Sequence, residues 1–559
     1  MTLPLSSKEK YSGMKSRKRY LALVVVLILP LTFAGAHPDQ RLLGQGDNEA
    51  AKRVTGDFAE ALVVAEKNYA GQINYQTLLK TSIIGMLHTL DPHSSYMDPK
   101  EFEDFLNDQR SQYFGIGAWI AQRNNKVYIT SPFNGSPAYK AGLRYGDQII
   151  AVDGASTEGL SSRQVSEKLL GPLGTQVRVK LSRLGVKEPI EHTFTRAGVS
   201  LPSISNYAMV GDSVGYINLD RGFNTTTSNE MLNAVHDLRS QGMKSLILDL
   251  RNNRGGLVDQ AAKVLNIFLY RGQKLVSMRG RPGVFPPVER SAQNASPDES
   301  PLVVLVNQGS ASASEIVAGA FQDHDRAVLV GDESFGKALV QNVFQLQDGS
   351  GLTLTTGHYY TPSGRLIQRE YAGLSFYDYY LRRGDKEAVQ TKKTDEKRTD
   401  SGRTVYGGGG IEPDVKVKFP TREFELQRTW LDSTFEFARL IVAGQVQGFE
   451  DFKIDRTVVH NHRMEANEYR INDKLLSAFK KFLAEHKELK IDPARVDKDA
   501  DWLKRQFRYE VVSAAYGQET ARQVLLEGDP QFQRAVAELP NAKTLVDNIR
   551  RMRASGGKN

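Results

Sequence analysis

No cysteine occurs among the 559 residues, so the chain has no disulfides and no lipid-bearing thiol, and its stability rests on packed cores. Long apolar runs are nearly as scarce. The one at residues 21–33 (LALVVVLILPLTF) falls short of the roughly 20 residues that cross a bilayer as helix. It follows Lys15, Arg17, Lys18 and Arg19 and precedes Ala34-Gly35-Ala36, a small-x-small pattern. Together these read as a secretory signal ending at Ala36, with the body exported to the periplasm or cell envelope. Membrane contact is expected only if residues 21–33 stay attached. Clusters of His, Asp and Glu at metal-ligand spacing are absent, so no metal or other cofactor is implied. An aromatic-rich basic stripe is absent too. The net charge of +8 arises from 73 Lys and Arg interleaved with 65 Asp and Glu, which describes a solvated surface rather than a nucleic-acid face.

What is present suffices for ordinary cores, with 40% hydrophobic residues and 24 Phe, and the length suggests three or four domains. The densest chemistry lies at 307–341, NQGSASASEIVAGAFQDHDRAVLVGDESFGKALVQ. Residues 302–306 (LVVLV) just before it read as a buried strand. A small-residue turn leads into a helix at 316–321, and a second buried strand at 327–330 closes at Gly331. Ser312 stands at the mouth of the helix and Lys337 just past the second strand. Ser312 and Glu315 fit S-x-x-E, a capping box, and a loop lysine is ordinarily solvated. Residues 331–337 (GDESFGK) also match the first seven positions of a phosphate-binding loop. The eighth is Ala338, which lacks the magnesium-holding hydroxyl, and the residues that follow alternate as a strand, so no helix N-terminus faces a phosphate.

Read together, the same residues offer a nucleophile and a base. A serine hydroxyl needs a neighbouring group to take its proton. Lysine can do so only when neutral, and burial can lower it by as much as about 3–5 units. Phe335 and Leu339 give Lys337 apolar company, and a helix N-terminus supplies amides and a positive dipole end for an oxyanion.

With G-S-A-S-A-S-E at 309–315 and F-G-K at 335–337, the stretch resembles the carboxyl-terminal processing, or tail-specific, proteases, a family of serine–lysine peptidases. The separation, 337 − 312 = 25 residues, matches as well. The resemblance implies Ser312 as nucleophile, Lys337 as general base and Gln341 as the residue that orients the lysine. It implies half an oxyanion hole at the Ala313 amide. The other half comes from Gly255–Gly256, in the turn Arg251-Asn252-Asn253-Arg254-Gly255-Gly256 that resembles the family's L-R-x-N-x-G-G element. Glu315, Asp323 and Ser334 match positions counted as site support. Glycine suits the turn physically, because only it lets main chain approach a tetrahedral intermediate so closely. The same pattern would suit a PDZ scaffold with a silent peptidase site, which changes at Ser312 and Lys337 would distinguish.

The remaining chain divides around this stretch. Residues 37–110 read as a helical segment, with apolar residues at helical spacing over 59–69 and 75–90 and a stop at Asp91-Pro92. His93-Ser94-Ser95-Tyr96-Met97 reads as a polar turn. From Tyr113 the period changes to two, and 111–197 resembles a PDZ domain through its G-S-P-A…A-G-L course. Such domains capture a chain end by adding it to a sheet edge. The resemblance assigns tail binding to Phe114, Gly115, Ile116, Gly117, Val165 and Leu169, with Leu170 where many relatives carry a basic residue. Residues 176–182 are expected as the last strand of that domain.

The peptidase core is expected over 198–371 and again at 406–421. Its strand–helix alternation predicts an α/β sandwich. Gly211-Asp212-Ser213-Val214-Gly215 matches G-x-S-x-G, yet residues 216–219 (YINL) read as strand where a nucleophile elbow needs a helix. A hairpin turn is the reading there, and no histidine has a triad context. Residues 372–405 read as a charged flexible insertion, and 422–559 as a C-terminal helical domain for packing or oligomerisation. In it Leu475, Phe479 and Phe482 share a helix face capped by Asn472 or Asp473. The whole is therefore expected to be a multidomain α/β serine endopeptidase that acts on protein substrates through their C-terminal tails, works as a homo-oligomer, and has no nucleic-acid partner.

Overall fold

A computed structural model describes residues 45–555 apart from 373, 375, 382–393 and 466. The expected signal at 1–36 and residues 386–393 of the charged insertion lie outside the described residues. Among the described residues no helix is long and apolar enough to cross a membrane. The chain divides into two units, meeting in sequence between Tyr75 and Gln76. In the first, helix Gln45–Asn68 leaves Val54, Phe58, Val63 and Val64 exposed.

The second unit is built on a six-stranded sheet ordered Ile204–Val210, Val214–Leu219, Ser245–Asp249, Leu302–Val306, Val328–Gly331 and Val415–Lys416. The first pair is antiparallel and every later pair is parallel. Gly211 to Ser213 make the hairpin of that first pair, as the strand reading of G-x-S-x-G required. The buried strands are apolar on both sides because both faces are covered. Leu302, Val304 and Val306 pack with helices Thr227–Ser240, Val258–Phe268 and Ala313–Asp323. Val303 and Leu305 pack with Phe532, Ala535 and Ala542 of the C-terminal helix Pro530–Ala554. The tail of the chain thus covers one face of the sheet.

A second sheet carries the lysine side of the site. Its order is Ser95–Met97, Gly351–Tyr360, Lys274–Gly280 and Val288–Ser291, with Leu339–Gln345 also on Gly351–Tyr360. Ser95–Met97, expected as polar turn, pairs with residues 351–353.

The module after residue 111 has its own sheet, ordered Ala118–Arg123, Lys126–Pro132, Gln148–Val152, Gln176–Ser182 and Ile190–Thr195. Helix Ser162–Leu169 starts on a Ser161 cap with Gln164 closing the box. Gln176–Ser182 is not the last strand. Ile190–Thr195 follows it as an edge strand in which only Phe194 is fully buried, too weak an alternation to stand out in sequence. Phe114 and Ile116 do not share a strand. Gln112–Gly115 pairs instead with Ala197–Ser200, so the chain enters and leaves the module side by side. Gly117 breaks the run at φ 75°, where a Cβ would lie 2.4 Å from that of Ser136.

The C-terminal helices build a separate core on Trp430, Phe437, Leu475, Phe479, Phe482 and Phe507, and Asn472 is the cap of Asp473–Glu485. Thr394–Arg398 and Thr404–Gly407, inside the stretch whose charge suggests flexibility, form a hairpin. It is docked by Arg403 on Asp325 and Asp414 (2.6 Å each). Arg403 makes ion pairs with the core, while Lys397 and Arg398 pair within the hairpin with Asp395 and Glu396.

Candidate active site

Strand Leu302–Val306 ends in a turn stitched to the exit of its neighbour. Ser310 Oγ donates to the Leu250 carbonyl (2.8 Å), while the Ala311 amide and Ser314 hydroxyl both donate to the Asn253 carbonyl (2.9 Å each). Ser312 stands at the apex with φ 56° and ψ −116°. A residue with a side chain holds such a conformation at about 1–3 kcal/mol, and only where its surroundings over-determine it. Here the Ser312 amide donates to Glu315 Oε2 (2.8 Å), and its carbonyl accepts from the Glu315 and Ile316 amides (2.8 and 3.0 Å).

Glu315, read from sequence as a cap, has a larger part. It is wholly buried, at 0% exposure. Its Oε2 also accepts from the Lys337 amide (2.9 Å), and its Oε1 from the Gly336 amide (2.6 Å) and the Ser334 hydroxyl (2.5 Å). One carboxylate therefore joins the backbone of the serine to that of the lysine. Burial pushes Glu315 up to about 7 even though these four donors pull the other way. Tyr359 adds a second strap, its hydroxyl reaching the Ser312 and Lys337 carbonyls (3.0 and 2.5 Å). Ser334 extends the network through its hydroxyl, which accepts from the Ile411 amide (2.6 Å).

Lys337 is half-buried. Desolvation brings its ammonium down to about 8, opposed by the carboxylates of Glu315 and Asp91. Its Nζ donates to Gln341 Oε1 (2.6 Å), and Gln341 Nε2 donates to the His93 carbonyl (2.6 Å). A register shift between Val340 and Gln341 accompanies that side chain's placement.

Gly255 lies hard against the serine turn. A Cβ on it would meet Ser312 Cβ at 2.7 Å and the Ala313 nitrogen at 2.8 Å, with φ at 94°. No other residue fits. The Gly255 amide donates to Asn253 Oδ1 (2.9 Å). Among the described residues, the amides of Gly256 and Ala313 have no such acceptor. Asp323 is brought elsewhere, at the opposite end of helix Ala313–Asp323, roughly 15 Å along the axis at 1.5 Å per residue. There its carboxylate is paired with Arg365 and bonded to Ser363. Asp91, His93 and Tyr359 are neighbours of the site that the linear motif does not reveal, whereas Asn253 is the Asn of the L-R-x-N-x-G-G element. The only hint in sequence is the Asp-Pro-x-Ser shape of a side-chain turn at 91–94.

The Peptidase family S41 model matches residues 213–375, and a PDZ domain model matches 128–183. The carboxy-terminal-processing protease of Bartonella bacilliformis is 39% identical over 297 residues, covering 52% of this chain and 68% of the relative. The carboxyl-terminal-processing protease of Synechocystis is 35% identical over 374 residues, covering 64% of this chain and 86% of its own. Carboxy-terminal processing protease CtpA of Bacillus subtilis is 31% identical over 359 residues, covering 63% and 76%. The chain belongs to the carboxyl-terminal-processing protease family. It is thus a serine-type peptidase carrying a PDZ domain.

In this family member the expected tail-binding residues divide between core and rim. Ile116, Val165 and Leu169 meet in the buried core of the PDZ domain. Gly115 lies beneath Leu170, whose side chain a Cβ there would meet at 3.1 Å. Phe114 is on the entry strand, its carbonyl accepting from the Gly171 amide (3.1 Å). Among the described strands Ala118–Arg123 pairs only with Lys126–Pro132, which leaves it as the sheet edge beside helix Ser162–Leu169.

Proposed function

We propose that the chain is an exported endopeptidase that captures the C-terminal tails of protein substrates on its PDZ domain and cuts them by a Ser–Lys acyl-enzyme route. Ser312 Oγ attacks the scissile carbonyl carbon as its proton passes to neutral Lys337. The oxyanion is received by the amides of Ala313 and Gly256, and Gly255 makes room for it. The intermediate collapses as Lys337 returns the proton to the leaving amine. Water, deprotonated by the same lysine, then hydrolyses the ester to free the serine. Gln341 orients the lysine. The observation that carries this reading is the single carboxylate, Glu315, bonded to the backbones of both Ser312 and a Lys337 whose ammonium is lowered to about 8.

The rest of the reading follows from the layout. Helices on both faces of the six-stranded sheet support an α/β sandwich core, and the paired entry and exit strands support a PDZ domain inserted before it. The edge strand Ala118–Arg123 is the place where an added strand would pair. A second copy of the chain is the partner suited to the exposed apolar side chains of Gln45–Asn68, which sedimentation of the mature chain would read directly.

Cleavage of a protein with an apolar C-terminus tests the function. Ser312→Ala and Lys337→Ala should each abolish it, and amidating the substrate's terminus should raise KM well above that of the free acid. Undiminished cleavage in both variants would remove the Ser–Lys route, and equal KM for acid and amide would remove tail capture.

A further inference from the structure

Asp91 stands in a turn that the linear motif leaves out of the site. Its Oδ1 accepts from the amides of His93 and Ser94 (2.8 Å each), and its Oδ2 accepts from the Ser94 hydroxyl (2.6 Å). Ser94 Oγ in turn accepts from the Thr355 amide (3.1 Å). Thr355 is the residue registered opposite Gln341 across the sheet. The turn is therefore tied to the same strand that positions Gln341, and the His93 carbonyl it presents accepts from Gln341 Nε2 (2.6 Å).

A carboxamide has a donating and an accepting end of nearly equal size, so it can face a neighbour either way round. Fixing the NH₂ end on a carbonyl leaves the oxygen for Lys337 Nζ. With the amide reversed, two N–H groups would meet the ammonium and the lysine would lose its acceptor. We propose that Asp91 is a positioning residue for the general base: it builds the turn whose His93 carbonyl sets the handedness of Gln341 and so the aim of Lys337.

The His93 ring reinforces the turn. Its Nε2 lies 2.8 Å from the Tyr379 hydroxyl and its Nδ1 2.9 Å from that of Tyr380, which also donates to the Pro92 carbonyl (3.0 Å). One proton assignment satisfies all three contacts. Nδ1–H donates to Tyr380, Tyr380 donates to Pro92, and Tyr379 donates to Nε2. That is a neutral imidazole, and burial together with the cations Lys337 and Arg369 brings His93 down to about 3, in keeping with it.

Lys337 is faced by charged or titratable groups from several elements. These are Glu315 from the serine helix, Asp91 and His93 from the turn, and Tyr359 from the sheet, with Arg369 beyond His93. The Asp91 carboxylate favours the protonated lysine, so removing its charge frees the base at lower pH.

The inference rests on the Ser–Lys reading, and the test separates the two. Asn at position 91 can keep Oδ1 for both amides and donate its NH₂ to Ser94 Oγ, losing the charge and the acceptor of the Ser94 hydroxyl but keeping the turn. Asp91→Asn should keep kcat within about five-fold while the acid limb of kcat/KM against pH moves to lower pH. Asp91→Ala should lower kcat about ten- to a hundred-fold with KM little changed, the size expected for a misaimed catalytic group. In a Gln341→Ala background it should add less than about two-fold, because the intermediary is already gone. Thermal melts of Asp91→Asn keep the result independent of whether the alanine variant folds. An unmoved acid limb in Asp91→Asn, or full additivity with Gln341→Ala, would overturn the inference while Lys337→Ala remained inactive. Activity in Lys337→Ala would instead remove the Ser–Lys reading beneath it.

Discussion

At the scale of single residues, the site turns on a buried carboxyl and a half-buried amine whose charges support each other. Glu315 at about 7 and Lys337 at about 8 are close enough to titrate as a pair. The charged carboxylate accepts four hydrogen bonds and stabilises the ammonium, yet the proposed Ser–Lys route needs the amine neutral. Activity should therefore rise with pH through the neutral to mildly alkaline range. For stability the sign is the opposite. A carboxyl raised from its ordinary 4.5 to about 7 binds its proton more tightly folded than unfolded. Its contribution is fully present below the unfolded value and declines as pH climbs toward 7. Glu315→Gln replaces an acceptor by a donor, so at least two of the four donors lose their partner, each at about 1–3 kcal/mol when buried. We expect kcat to drop at least about ten-fold and the acid limb to shift to lower pH, because the charge holding the proton on Lys337 is gone. A pH–rate profile superimposable on wild type would contradict that role. Ser312, Lys337 and Gln341 were legible in sequence because one continuous stretch carries them. Asp91 and His93 were not, since they reach the site only through the pairing of Ser95–Met97 with residues 351–353.

At the scale of elements, period and turn chemistry gave most strands and helices, and failures came where tertiary contacts overrode composition. Residues 394–407 show this. Six of the eighteen residues from Lys386 to Arg403 are Lys or Arg and four are Asp or Glu, a composition that reads as solvated. The hairpin is nonetheless held by specific partners. The Asp400 amide donates to the Asp323 carbonyl (2.9 Å) and the Ser401 amide to Asp325 Oδ2 (2.6 Å). His324, directly after the serine helix, contacts Asp400 Oδ2 through Nδ1 and the Lys274 carbonyl through Nε2, each at 2.7 Å. Both acceptors require N–H, so the ring is an imidazolium. Burial opposes the charge, but the hydrogen bond and charge of Asp400, aided by the Lys274 carbonyl, raise His324 above its usual value. A raised histidine stabilises fully below its unfolded value and loses that contribution as pH rises through the folded one. Asp400 is 43% exposed on its side chain, so screening limits the pair to about 1 kcal/mol. Amide exchange over 394–407 should accelerate in Asp400→Asn at pH 6 and match wild type at pH 9. An equal effect at both values would assign the docking to Arg403 alone.

At the scale of the whole molecule, the C-terminal helices connect the PDZ domain, the sheet and the site. Helix Ala500–Leu526 places Glu519 against the Trp119 indole of the PDZ edge strand (3.0 Å) and Arg522 against Asp220 of the core (2.5 Å). Pro530–Ala554 then lies on the sheet through Phe532, Ala535 and Ala542. Sequence did not reveal that last contact, because two of its three fully buried residues are alanines, which carry little apolar signal. The start of this helix also reaches toward the turn proposed to hold the oxyanion. Asp529 caps it, accepting from the amides of Gln531 and Phe532 (2.9 and 3.1 Å), and pairs with Arg251 at 2.7 Å. Arg251 is held from its other side by Asp249 and opens the turn that ends in Gly255–Gly256. Removing the Asp529 side chain deletes a cap worth about 1 kcal/mol and half the charge compensation of a largely buried guanidinium. Asp529→Asn keeps the cap acceptor and loses the charge and the acceptor facing Arg251. If the helix braces the oxyanion turn through Arg251, Asp529→Ala should lose about 2–3 kcal/mol in denaturant unfolding. Asp529→Asn should lose less, while both lower kcat several-fold at unchanged KM. Full activity in Asp529→Ala, measured under conditions where the variant is folded, would leave the C-terminal helix as a cover for the sheet with no hold on the site.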